Sequence, residues 1–110
     1  MFIAINRLKV QPGTGGQLEE RFAQPGGLEE TDGFVRFQLL RRSWRPHGEA
    51  DHEEYLAMTE WRSKDDFLAW TKSEAFKRAH SGPKLEIFVA PGEPAGYDIA
   101  AERTPNEAEA

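Results

Sequence analysis

Asn6, Trp70 and His80 are side chains of types that do chemistry, in places where such types need a reason. His80 ends the stretch Trp61–His80, WRSKDDFLAWTKSEAFKRAH, and a loop containing Gly82 and Pro83 follows it. An imidazole at a helix C-terminus has two uses. Protonated, it suits the negative end of the helix dipole and bonds free carbonyls. Neutral, on a rigid element facing an apolar pocket, it can ligate haem iron axially. The pattern leaves both open. Trp70 is either core packing or one wall of a pocket for a flat ligand. Along one continuous helix the ten residues from Trp70 to His80 span ~15 Å, compatible with one flanking the centre of a flat macrocycle and the other its edge, particularly if the helix loosens near His80.

Asn6 falls on the strand face made by Phe2, Ala4, Leu8 and Val10, an amide among apolar neighbours. Buried, it must find a hydrogen-bond partner or cost ~1–3 kcal/mol. A nearby backbone group or water would be the plain solution. His47 and His52, with Asp51 or Glu53, offer a metal option, but the spacing follows no known ligand pattern and a solvated loop is expected. No Ser/His/Asp arrangement stands out, and Glu19/Glu20 and Glu29/Glu30 read as solvated faces. Gly13, Gly15 and Gly16 do not form a nucleotide fingerprint.

These residues need a scaffold, and 110 residues make one domain with a real core. There is no Cys, which excludes disulfides and thiolate chemistry, and a net charge of -5 argues against nucleic acid as a partner. No apolar run approaches the ~20 residues that span a bilayer. The N-terminus lacks the features of a signal peptide. A cytoplasmic protein with no membrane partner is expected.

Alternation predicts strands over Phe2–Val10, Phe34–Ser43 and Tyr55–Trp61, and a last one over Gly96–Arg103. Thr14 or Gly16 would cap a first helix through Leu18 and Phe22. Gln24-Pro25-Gly26-Gly27 interrupts it, and a short turn over Leu28–Thr31 follows. Val35, Phe37 and Leu39 are expected on one strand face, and Phe34, Gln38 and Leu40 on the other. Ser63 would cap a single second helix from Lys64 to Ala79, with apolar residues on two sides. Leu85–Val89 could add a short strand. The order βαββαβ is the ferredoxin-like, α+β pattern: an antiparallel sheet with helices on one face. Large apolar residues on the other face predict a homodimer with sheet against sheet. Residues 1–103 form the domain, and 104–110 an acidic, disordered tail.

Taken together, INRLKVQPG, LEERFA, DGFVRFQLLR, YLAMTEW and FLAWTKSEAFKRAH resemble the IsdG-type haem-degrading monooxygenases. These lie within the antibiotic-biosynthesis-monooxygenase-like superfamily of dimeric α+β barrels. The likeness covers residues 2–82, and GYDIAAER fits the place of the last strand. The resemblance implies that His80 is the proximal ligand of haem iron. It implies that Asn6 donates a hydrogen bond on the oxygen side, that Trp70 presses on the macrocycle, and that Phe22 lines the pocket. Haem would be both cofactor and substrate, oxidised with dioxygen and electrons from an external donor or reductase, releasing iron and a linear tetrapyrrole. Lys77, Arg78, Lys84 and Arg21 are the cations offered to its propionates. The Gln24–Gly27 break, the long Trp44–Glu53 loop and the Leu85, Ile87 and Phe88 loop depart from the family pattern. Two other readings share the scaffold: a cofactor-independent quinol-type monooxygenase, and a non-catalytic haem-binding or structural dimer.

Overall fold

The computed structural model describes residues 1–48 and 50–106. Their order is β1 (Phe2–Val10), α1 (Gly15–Phe22), a 3-10 turn (Gly27–Glu30), β2 (Phe34–Arg41), β3 (Glu53–Trp61), α2 (Lys64–Thr71), α3 (Glu74–Ala79) and β4 (Glu93–Asp98). The strands form one antiparallel sheet in the order β2-β3-β1-β4. This is the expected ferredoxin-like arrangement.

Alternation along β1 buries Phe2, Leu8 and Val10. Across β3 they meet the buried Tyr55 and Trp61. Leu8, Val10, Leu18, Tyr55 and Ile87 make the central cluster, with Phe22, Leu39, Ala57 and Leu85 packed on it. Ile87 is held there by its neighbours' backbone: Gln11 N–H donates to Ile87 O at 2.8 Å and Val89 N–H to Lys9 O at 3.0 Å. The Leu85–Val89 stretch is therefore a core-filling loop with one β-bridge, Val10 to Phe88, and not a strand.

Four local expectations are corrected. The register between β2 and β3 slips between Phe34 and Arg36, so Phe34 joins Phe37 and Leu39 on the helix-facing side and Val35 bulges into solvent. Thr14 is the N-cap of α1 but makes no side-chain cap. Its hydroxyl donates to Gln11 O, and the Glu53 carboxylate accepts from Gly15 N–H at 2.7 Å. That carboxylate from β3 takes the capping role and suits the positive end of the helix.

The single helix expected over 64–79 is two. Ser63 caps α2 as expected, accepting from Asp66 N–H at 3.1 Å, but α2 stops at Thr71 and Ser73 starts α3. The last strand runs over Glu93–Asp98 rather than Gly96–Arg103, because its partner β1 begins at Phe2, which pairs with Asp98. Residues 99–106 carry no helix or strand. The last four residues of the expected tail, 107–110, lie outside the described residues.

Candidate functional site

His80 sits at the C-cap of α3. Its Nδ1 is 2.8 Å from the Phe76 carbonyl oxygen, which can only accept, so Nδ1 carries the proton. In the neutral tautomer that this bond selects, the ring's other nitrogen, Nε2, presents a lone pair. A neutral imidazole in this place can close a free carbonyl of the helix end through Nδ1–H and keep Nε2 for a ligand. The Phe76 ring stacks on the imidazole with centroids 4.0 Å apart.

The helix break sets what lies beside it. The Ser73 hydroxyl donates to Trp70 O at 2.7 Å and accepts from Phe76 N–H at 3.1 Å, satisfying both sides of the break. The chain turns there and Trp70 meets Phe76 edge-on at 4.8 Å and His80 at 6.4 Å. Trp70 also lies 5.4 Å from the fully buried Trp61, which holds Phe34 and Phe67 around it and donates from Nε1 to Thr59 Oγ1 at 2.9 Å. Trp70 is half-buried, packed against Trp61 and Phe67 and partly open elsewhere.

Asn6 lies in mid-sheet, opposite Ala57 on β3 and Pro94 on β4. Its Oδ1 is buried with no hydrogen-bond partner among the described residues. Among the described residues no backbone group is its partner, so of the two plain solutions the fold does not supply the first. Around it on the helix-facing side stand Ala4, Ala57 and Thr59, a floor of small side chains. Phe22 stacks on Phe37 at 5.4 Å, with Phe37 opposite Thr59. Aromatic groups from α1 and β2 therefore border the floor on one side, and Trp61, bonded to Thr59, borders it on another; Trp70, Phe76 and the exposed His80 follow from Trp61 in a chain of ring contacts. Among the described residues no aromatic contact joins Phe22 to Trp70 or His80; the floor separates them.

The Gln24–Gly27 break lets the 3-10 turn settle on α3: a Cβ at Gly27 would lie 3.0 Å from that of Ala75. Of the cations offered to propionates, Lys77 pairs with Glu74 at 3.4 Å. His52 bonds Asp51 at 2.9 Å, and among the described residues no three metal-ligating groups converge.

A second polar group, missed in the sequence, ties α1 to the sheet. Tyr55 donates its hydroxyl to Glu19 Oε2 at 2.5 Å, and Arg41 Nη1 reaches the same oxygen at 3.1 Å. Burial, then the bond to Glu19, pushes the Tyr55 hydroxyl up to about 12. The Tyr55 bond holds the Glu19 carboxyl below its ordinary value. A cavity of about 390 Å³ opens beside these residues, lined also by Leu39, Leu40 and Ser43. It lies towards the Tyr55 end of β3, away from Trp61 and Trp70.

The sequence model of the antibiotic biosynthesis monooxygenase family matches residues 1–82. A protein named haem-degrading monooxygenase from Halalkalibacterium halodurans is 33% identical over 96% of this chain and 87% of its own. A haem oxygenase (staphylobilin-producing) from Staphylococcus saprophyticus is 37% identical over 74% of this chain and 75% of its own. The haem degrader MhuD from Mycobacterium tuberculosis, solved with two haems in its active site, matches with a TM-score of 0.70 at 26% identity, over 94% of this chain and 100% of that one.

Proposed function

The chain belongs to the antibiotic biosynthesis monooxygenase family, and from that premise we propose that it is a haem-degrading monooxygenase with its site between Asn6, Trp70 and His80. The observation that carries this reading is the state of His80. Its Nδ1–H is spent on the Phe76 carbonyl, which leaves Nε2 bare beside Trp70. The relatives' names point the same way over most of the chain.

The residues present fit haem. An imidazole nitrogen is available for iron, aromatic rings can flank a porphyrin, and a buried amide oxygen on the floor has no partner among the described residues. When bound, haem supplies both the iron that activates dioxygen and the porphyrin that is oxidised. His80 would hold the iron through Nε2, with its bond to Phe76 O fixing the tautomer and making Nε2 a stronger donor. Trp70, backed by Trp61, would flank the macrocycle and keep water from it. Phe22 on Phe37 would supply a further wall. Asn6 offers a hydrogen bond from the floor. Its amide carries donors at Nδ2 beside the acceptor Oδ1, so the group can donate where the ligand needs a donor.

Dioxygen and external electrons complete the reaction, since the sequence carries no flavin or nicotinamide fingerprint. No helix of the described residues is long and apolar enough to cross a membrane, and the reading places the enzyme in the cytoplasm. It acts as a homodimer. Ile3, Ile5, Leu40, Leu56, Met58 and Tyr97 share the sheet face away from the helices, where Tyr97 is 54% and Leu40 41% exposed. Such a face needs a partner.

The test is haem titration followed by a reductant in air. A Soret band that forms and then decays, with release of iron, is the expected course. A Soret band that forms and persists would leave haem carriage, and no band at all would favour a small aromatic substrate.

A further inference from the structure

We propose that Gly92 is a positioning residue that sets the direction of the Asn6 amide. A Cβ at Gly92 would stand 2.8 Å from Asn6 Oδ1, 3.1 Å from Nδ2 and 3.3 Å from Cγ. Backbone without a side chain therefore lies directly against the amide. The glycine is not there for its backbone angles. Gly13, Gly33 and Gly48 take positive φ, and Gly92 does not. What position 92 requires is space, and the space is filled by Asn6.

An asparagine needs such a restraint because rotation about its last side-chain bond is broad and does not choose a direction by itself. Oδ1 has no hydrogen bond among the described residues to choose one for it. Pro91 and Pro94 flank the contact, and Pro94 stands opposite Asn6 on β4. Their rings fix φ at positions 91 and 94, on either side of Gly92. Gly92 thus blocks one side of the amide and leaves it turned over the floor of Ala4, Ala57 and Thr59. The consequence for turnover rests on the haem-site reading above; the geometry does not.

A double-mutant cycle in the full chain tests this, with Gly92→Ala, Asn6→Ala and both together. In the ligand-free protein Gly92→Ala lowers the melting temperature and shifts the Asn6 side-chain amide resonances, identified by their loss in Asn6→Ala. In the Asn6→Ala background the same change lowers the melting temperature much less, because the amide it would strike is gone. With haem and reductant, Gly92→Ala slows turnover several-fold with haem affinity little changed, and slows the Asn6→Ala variant no further. An equal loss of stability in both backgrounds, or unmoved Asn6 resonances, would overturn the proposal. Should Gly92→Ala fail to fold, the double variant must fold for the proposal to stand. A parent that binds no haem would count against the haem reading alone, since the ligand-free cycle is read without it.

Discussion

The rings of Trp70 and His80 lie 6.4 Å apart, although ten residues separate them in the chain. One straight helix would hold those positions ~15 Å apart along its axis. The difference is the break at Ser73, whose hydroxyl bonds Trp70 O on one side and Phe76 N–H on the other. Ser73→Ala is expected to cost ~1 kcal/mol, as the loss of an N-cap does, and to weaken haem binding. Ser63→Ala removes the cap of α2 and should cost a similar amount while leaving haem binding as it is. Thermal unfolding and haem titration of both variants check this. Equal effects of the two on haem affinity would disconnect the break from the site.

Asn6 illustrates a site held at the expense of stability. Its buried Oδ1 has no partner among the described residues, and an unsatisfied buried polar atom costs ~1–3 kcal/mol. Asn6→Ala is therefore expected to melt at a higher temperature than the parent and to turn haem over more slowly. A variant that melts lower would mean that the amide is satisfied in solution.

The Tyr55–Glu19–Arg41 group gives stability a pH dependence at both ends. Glu19 is held below its ordinary value, first by the Tyr55 hydroxyl and then by Arg41. Its contribution is complete above ~4.3, the unfolded glutamate value, and is lost as pH falls through the lower folded one. Tyr55 is pushed up to about 12, first by burial and then by the bond to Glu19. Its contribution is complete below ~10 and is lost as pH rises through the folded value. Tyr55→Phe should flatten both limbs of the melting-temperature profile. Unchanged acid and alkaline slopes would contradict the assignment.

The sheet face away from the helices makes the fourth prediction. Leu56 stands opposite Leu40 and Arg7 in mid-sheet. Leu56→Asp puts a charge at the centre of the proposed dimer contact and should yield a folded monomer by sedimentation, where the parent is a dimer. A monomeric parent would leave that face unexplained.

The fold was legible because its signals are local. Alternation marked β1 and β3, Ser63 marked the start of α2, and the βαββαβ order followed. The break at Ser73 was missed, although a serine followed by Glu74 is itself a cap signal, because the apolar pattern runs through it without interruption. The slip at Val35 was missed because Phe34 and Val35 are both apolar and either could face inward. Of the proposed site, Asn6, Trp70, His80 and Phe22 were singled out as candidates in the sequence, but not their arrangement. The nearness of Trp70 to His80 depends on the break. The contact of Gly92 with Asn6 depends on a loop crossing β1 from far along the chain, and no local pattern encodes that.

The central claim is that His80 Nε2 ligates haem iron. Titrating the parent and His80→Ala with haem, and following the Soret band, tests it most directly. A saturable, shifted band in the parent that is lost or greatly weakened in a folded His80→Ala variant is the predicted result. A variant that binds haem as tightly as the parent, with the same band, would contradict it.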